Sequence, residues 1–365
     1  MENKKDTQTF PALTGVRAIA AYMVFFHHYI GTCHTGVFLS FVKEFYTGVT
    51  IFFVLSGFLI YYRYSETIAL EKNFLFNYFK NRFARIYPSY LLIVILTFAF
   101  YFYSPNSGSM ASQIATVILQ LTFVRGFFDT YKFIGVGQGW TLTVEESFYT
   151  LFPLFMAAIK RWGFAVTLLI AYLIGIFLIG FGALVQFRGF FAPVEFVLNY
   201  TFFGRVTEFF FGMYLAKIIL SKELKKPNSW MPKFTLLGLI GVYAGIFSMS
   251  TFQENCTDYG TFYMGGTVIN NLILPVFICI LFYGLIAEDS IVQKFLGSRP
   301  MVLLGKASYV FYLIHVGVFQ FILEYAVSTN MFVIFIIMNL LAIAIYFAVE
   351  EPMQKAIRRV QLQSR

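Results

Sequence analysis

The stretch that decides the fold runs Leu13-Thr14-Gly15-Val16-Arg17-Ala18-Ile19-Ala20-Ala21-Tyr22-Met23-Val24-Phe25-Phe26-His27-His28. It is a membrane-length apolar helix with a cation near its start and two imidazoles at its end. Arg17 and His28 are eleven positions apart. At about 3.6 residues per turn that is three turns plus ~20°, so both side chains share one face, ~16 Å apart along the axis. His27 lies ~80° off that face by the same geometry. Ionisable groups inside a membrane are expensive, and they are candidates for function by default. A cation at one face of the bilayer and a titratable base near the other describe a site reached from both sides.

The rest of the chain agrees with that class. Of its 365 residues, 59% are hydrophobic, 21% aromatic and 12% charged, and the mean hydropathy is +0.72. Soluble domains carry about 25% charged residues. Apolar runs without period-two alternation exclude a barrel and leave an all-α, polytopic bundle. Spans are expected near 12–30, 47–62, 87–103, 142–159, 163–185, 200–220, 234–250, 267–287, 301–324 and 331–349.

The net charge of +9 is a matter of topology, not of nucleic acid. With 112–124 held out of the membrane, inner segments receive all 27 Lys and Arg except Lys43, Arg125, Lys132, Arg188 and the intramembrane Arg205. That is the positive-inside pattern. It predicts ten crossings, both termini cytoplasmic, and one membrane domain over 1–365 ending in a short basic tail at 350–365. Nothing resembles a cleaved signal peptide, so the first apolar segment is expected to be retained. No soluble domain is expected beside the bundle. Cys33, Cys256 and Cys279 have no metal-ligand spacing, and no metal is expected. Cys33 and Cys256 fall in loops on one side, where a bond between them is open.

Four further clusters carry chemistry. Ser56-Gly57 sits in mid-span and allows close approach of a helix or a ligand. Arg82 and Arg85 are i, i+3 on one helical face, and two forked guanidiniums suit a phosphorylated ligand; they also serve as a positive-inside anchor. Pro88 is expected to break or restart the helix there. Glu145 and Glu146 follow Trp140; being ~100° apart they cannot face one site together. Glu145, flanked by Trp140, is the candidate for proton chemistry. Glu146 reads as a first-turn acid behind a Thr141 or Thr143 cap. Arg205 and Glu208 are i, i+3 in an apolar helix and are expected to pair, either at a site or to fix helix rotation. His315 falls near mid-span and reads more simply as a packing residue. Glu350-Glu351-Pro352 reads as a membrane-exit signal.

Taken in order, LTGVRAIAAYMVFFHH (13–28), GVTIFFVLSGFLI (48–60), NRFARIYP (81–88), WTLTVEESFY (140–149), ASYVFYLIH (307–315) and VEEP (349–352) resemble the acyltransferase-3 family of integral-membrane O-acyltransferases. That family modifies bacterial surface polysaccharides, lipid-linked sugars and nodulation factors. The resemblance implies a ten-span bundle in the bacterial cytoplasmic (inner) membrane. It implies acyl-CoA, commonly acetyl-CoA, as co-substrate with no bound cofactor, and a glycan or lipid-linked sugar as acceptor. By resemblance the essential histidine maps to His28, with His27 as competitor, and the first acid of the pair to Glu145, orienting or charge-balancing His28. Arg82, Arg85 and Arg17 would hold the CoA phosphates. Ser56, Trp140, Arg205 and Glu208 complete the expected binding set. Thr14 stands where the family usually has Asp. Some members carry an extracytoplasmic esterase-like domain; without one, this chain is expected to act alone or with a separate partner. A rival reading from the residues is a proton-coupled transporter or flippase using His28, Arg205 and Glu208.

Overall fold

The computed structural model describes residues 10–30, 36–68, 70–102, 109–221, 233–255 and 257–362. Among these there is no strand, only helices joined by short turns and one isolated bridge between Phe128 and Phe190. The helices are α1 (Pro11–Tyr29), α2 (Val37–Lys43), α3 (Gly48–Tyr64), α4 (Lys72–Phe102), α5 (Met110–Leu121), α6 (Trp140–Val185), α7 (Val194–Tyr200) and α8 (Phe202–Ser221). They continue as α9 (Lys233–Ser250), α10 (Met264–Val268), α11 (Leu274–Ala287), α12 (Ile291–Leu296), α13 (Arg299–Ile314), α14 (Val318–Ala326), α15 (Met331–Ile345) and α16 (Glu351–Leu362). Among the described residues, six helices are long and apolar enough to cross a membrane, or seven if the bent pair α13 and α14 is one span. Helix is the form that satisfies every backbone group inside lipid.

Several features depart from simple spans. α6 is one 46-residue run, but Gly163 has φ +83° and divides it. Each stretch is then about 33 Å long, close to a bilayer's hydrocarbon thickness of about 30 Å. α5, with 12 residues, reaches only ~18 Å and is too short to cross. Pro88 does not end a helix: α4 runs 31 residues through it. Proline removes one hydrogen bond, which a membrane helix tolerates when its neighbours support it. Here the Tyr87 hydroxyl donates to the Leu121 carbonyl at 2.9 Å and that of Tyr90 to the Gln120 carbonyl at 3.1 Å. The segment expected as a span over 301–324 is broken instead, with α13 and α14 meeting at 87°.

The chain divides into two compact units. The first takes the described residues of Met1–Thr67, Ala158–Leu173 and Phe203–Lys306. Its helices approach through glycines. A Cβ on Gly57 of α3 would fall under 3.0 Å from the Phe209 carbonyl oxygen of α8, and one on Gly15 of α1 equally close to that of Leu296 in α12. Small residues at crossings supply the van der Waals contact that holds helices together in lipid. Glu288, buried, caps α9 by accepting from the backbone N–H groups of Phe234 and Thr235 at 2.8 and 2.9 Å.

The second unit takes Ile68–Ala157, Ile174–Phe202 and the described part of Ala307–Arg365. Its core is aromatic: Tyr78, Tyr90, Phe148, Phe152 and Phe311 are buried almost completely. Tyr78 donates to the Tyr149 carbonyl at 2.9 Å and Tyr309 to that of Ile86 at 3.0 Å, which ties α4 to α6 and to α13. Residues 351–362 of the basic tail are helical, with Lys355 paired to Glu351 at 2.8 Å. Cys33 and Cys256 lie outside the described residues; Cys279 is a free thiol on α11.

Candidate functional site

In the first unit the residues of interest begin on α1. Arg17 is half-buried, and Thr14 one turn earlier directs its hydroxyl to the Phe10 carbonyl at 3.3 Å. The two imidazoles at the other end differ in setting. His28 is exposed. His27 is half-buried, its Nδ1 2.6 Å from the Lys43 carbonyl oxygen. A carbonyl can only accept, so Nδ1 carries the proton, and in the neutral ring Nε2 keeps its lone pair. The His27 ring packs against Tyr46, Tyr259 and His28, with centroids 5.4, 5.2 and 4.7 Å away.

Beside this anchor is a residue that the motif reading missed. Glu44 is fully buried at the hinge between α2 and α3. Its carboxylate accepts from the Gly260 N–H and the Tyr46 hydroxyl, each at 2.8 Å, and from the Gln253 amide. A buried carboxylate is tolerable only with such partners. The available signal was an acid inside the apolar run 37–64, which no recognised motif covers.

On α3 and α8 a second buried polar set forms. Arg205 Nε lies 2.8 Å from Glu208 Oε1, and Arg205 Nη2 donates to Thr50 Oγ1 at 2.9 Å. Thr50 donates on to Asn270 Oδ1 and Asn270 to Asn271 Oδ1, both at 2.8 Å; Asn271 reaches the Gly204 carbonyl at 3.2 Å. Asn270 and Asn271 stand on a π-turn at Ile269–Ile273. Such turns widen the helix and aim side chains that a regular repeat would not, which is why periodicity passed over them. Ser56 is half-buried on α3, one position before the Gly57 crossing.

The second unit gathers Arg82, Arg85 and Glu145 around one tyrosine. Arg82 is buried, with its guanidinium 5.3 Å from the Tyr149 ring centroid. The charges of Arg82, Arg85 and Glu145 all act on Tyr149, whose hydroxyl donates to Glu145 Oε1. Glu146 is half-buried within reach of the Arg82 charge. The capping expected of Thr141 or Thr143 does not occur. α6 starts at Trp140 behind Gly139 without a side-chain cap. Thr141 donates to the Gln138 carbonyl and Thr143 to that of Phe123, at 2.8 and 2.7 Å. Both acids therefore stand beyond the first turn, where the helix dipole does little for them. Trp140 packs edge-on against Tyr200 at 4.8 Å.

His315 lies between the two halves of the bent pair α13 and α14. It sits fully buried at the α13–α14 corner, before Gly317 at φ +88°. Its Nδ1 is 2.7 Å from the Tyr312 carbonyl, and the Tyr312 hydroxyl is 3.1 Å from Thr141 Oγ1. Gln138 caps the corner by donating to the Leu313 carbonyl. Glu350 is buried too, in a π-turn at Tyr346–Glu350, where it accepts from Gln354 at 3.0 Å. Arg17, His27, His28, Ser56, Arg205 and Glu208 thus belong to the first unit; Arg82, Arg85, Trp140 and Glu145 belong to the second. No cluster of three or more His, Cys, Asp or Glu able to hold a metal occurs among the described residues.

An acyltransferase-domain model, that of acyltransferase family 3, matches residues 10–350. The chain belongs to the acyltransferase-3 family. The match covers all of the clusters just described. Among curated proteins, O-acetyltransferase OatA of Staphylococcus aureus (strain NCTC 8325) is 27% identical over 97% of the chain and 59% of its own length. A relative from strain COL, named as an inferred O-acetyltransferase, is 25% identical over 96% of the chain and 58% of its own length. The chain therefore spans about three-fifths of the length of these relatives. No solved structure matches the chain.

Proposed function

We propose that this acyltransferase-3 chain moves an acetyl or other short acyl group from acyl-CoA to a hydroxyl of a cell-surface or lipid-linked glycan. The observation that carries the reading is the imidazole pair closing α1: an exposed His28 beside a His27 whose tautomer is fixed by the Lys43 carbonyl. Imidazole titrates near neutral pH and takes a proton from a hydroxyl readily. In a direct transfer, His28 accepts the acceptor's proton while the sugar oxygen attacks the thioester carbonyl carbon. The C–S bond then breaks, and the CoA thiolate takes the proton back from the imidazolium. If His28 itself attacks, an acyl-imidazole forms and CoA leaves before the acceptor arrives.

The donor is assigned to the basic side chains. Arg82 and Arg85 bind the CoA phosphates, with Arg17 as a further cation, since guanidinium forks match phosphate oxygens. Arg82 lies over Tyr149, and Tyr149 is tied to Glu145, so Glu145 keeps the Arg82 platform in place. The pantetheine arm passes along Ser56, and Arg205, Glu208 and Trp140 complete the binding set. The chain crosses the bacterial cytoplasmic membrane ten times with both termini cytoplasmic, counting α1, α8 and the two stretches of α6 as spans. Its partners are acyl-CoA, the glycan and the bilayer; no cofactor is resident.

The test is release of free CoA from acetyl-CoA by the protein reconstituted in lipid, with and without cell-envelope glycans. Wild type is compared with His28→Ala, both checked for folding by thermal melt. Release by wild type alone supports transfer through His28, and release without glycan supports the acyl-imidazole. Equal release by both proteins removes His28 from the chemistry. No release by folded wild type with glycans present sinks the acyl-CoA reading, and glycan-lipid flux in the same vesicles would then favour a transporter.

A further inference from the structure

Two separate segments close around His27, and one buried carboxylate joins them. The hinge between α2 and α3 supplies the Lys43 carbonyl that holds Nδ1 and the Tyr46 ring that lies against the imidazole. The 251–263 connection supplies Tyr259, the second ring. Glu44, next to Lys43, binds them together. Its Oε1 accepts from the Gly260 N–H and from Gln253, and its Oε2 accepts from the Tyr46 hydroxyl. Gln253 also donates to the Ser40 carbonyl at 3.0 Å, and the Tyr46 hydroxyl lies 3.1 Å from Thr261 Oγ1. Among the described residues, every contact that orients His27, apart from that with His28, is thus made by a residue within two positions of Glu44 or of its partner Gly260.

From this we infer that Glu44 is a positioning residue for the α1 imidazoles: it holds the Lys43 carbonyl and the two tyrosine walls so that His27 keeps its Nδ1–H tautomer and presses its ring against His28. The physical ground is that a ring nitrogen bonded to a carbonyl fixes the proton on that nitrogen, and the role of the other follows. A fully buried acid is a costly way to close a loop, since removing any of its donors leaves charge unsatisfied. Its effect on the reaction rests on the acyl-transfer reading above; its effect on the His27 tautomer does not.

The experiment uses the full chain in lipid nanodiscs with nitrogen-15 histidine, reading the ring tautomers by NMR and CoA release in parallel. Wild type is expected to show two histidines locked as the Nδ1–H form, one removed by His27→Ala and the other, His315 on the Tyr312 carbonyl, unaffected by it. Glu44→Ala is expected to mix that tautomer and to lower kcat by about 10- to 100-fold, the usual range for a group supporting a functional histidine from behind, while KM for acetyl-CoA moves less than about twofold. Glu44→Gln, which keeps a carbonyl oxygen for Gly260, is expected to restore most of both. If Glu44→Ala does not fold, Tyr46→Phe takes its place, because it keeps the ring and loses only the hydroxyl. A folded variant with a lower Tm but an unchanged tautomer and kcat would overturn the inference. If wild type releases no CoA at all, the acyl-transfer reading fails and the tautomer alone decides the role of Glu44.

Discussion

Gly57 of α3 and Gly212 of α8 are reciprocal: a Cβ on Gly57 would lie under 3.0 Å from the Phe209 carbonyl oxygen, and a Cβ on Gly212 equally close to that of Val54. Each glycine makes room for the other helix's backbone, so the two helices cross in close backbone contact. Ser56, Thr50 and the Arg205–Glu208 pair sit on these same helices. The crossing therefore sets the register of the buried polar set. Gly57→Ala should cost about 1–3 kcal/mol, the usual cost of overpacking, read as a lower Tm in nanodiscs. Gly212→Ala should cost a similar amount. The double variant should cost less than their sum, because one displacement relieves both clashes.

Arg205 and Glu208 illustrate the difference between a missing pair and a broken one. Glu208 is fully buried, and Arg205 lies 2.8 Å from its carboxylate. Arg205→Ala would strand that carboxylate and should destabilise by about 3–5 kcal/mol. Arg205→Met together with Glu208→Leu should recover most of the loss. The check is thermal melting of the two single variants and the double. A double no better than Arg205→Ala would show that Thr50, which loses its donor in both, carries the effect.

Arg82 tests the donor assignment. Its guanidinium lies 5.3 Å from the Tyr149 ring, and Tyr149 is bonded to Glu145. Arg82→Lys keeps the charge but loses the planar fork and the stacking. KM for acetyl-CoA should rise about tenfold, roughly 1.4 kcal/mol, with kcat little changed. Tyr149→Phe should give a smaller rise in the same constant, since it frees Glu145 but leaves the ring. A change confined to kcat in both variants would count against phosphate binding by Arg82.

Arg125 is a structural counterpart. It is 1% exposed and donates to the carbonyls of Ile134 and Val136, fixing the turn that leads into Trp140. Burial pulls its guanidinium below the ordinary value. A lysine cannot reach both carbonyls, so Arg125→Lys should cost about 1–3 kcal/mol of stability, the price of one buried polar group left unpaired. Thermal melting measures it. The positive-inside count treated Arg125 as an outer-loop charge, and nothing in its local sequence distinguished it.

What the sequence could reveal followed from what is local. The all-helical class, the pairing of Arg205 with Glu208 and the close approach at Gly57 all rest on helical spacing, and spacing survives folding. The corner at His315 did not show, because Gly317 is a single residue and an apolar run reads alike whether straight or bent by 87°. Pro88 misled in the other direction: its cost is local, and the supporting hydrogen bonds from Tyr87 and Tyr90 go to carbonyls 34 and 30 positions away. Glu44 was invisible for the same reason. Its meaning lies in Gln253 and Gly260, more than 200 positions distant.

The 251–263 connection, which supplies the Tyr259 ring against His27, should depend on pH through Asp258 and Tyr263. The Tyr263 hydroxyl donates to Asp258 Oδ2 at 2.8 Å. That bond, with help from Asn255, holds the Asp258 carboxyl below its ordinary value, while the tyrosine is pushed up to about 12. For a depressed carboxyl, the contribution to stability is complete above the unfolded value of about 3.9 and disappears as pH falls through the lower folded one. For a raised phenol it is complete below the unfolded value of about 10 and disappears as pH climbs towards the folded one. The contact should therefore be intact from about pH 4 to pH 10 and open on both sides. Ring NMR of Tyr263, carried well below pH 4 and above pH 10, measures both transitions. Asp258→Asn should abolish the acid transition and bring the phenol back towards its ordinary titration. An acid midpoint for Asp258 at or above the usual carboxylate value would show that this bond does not hold the loop.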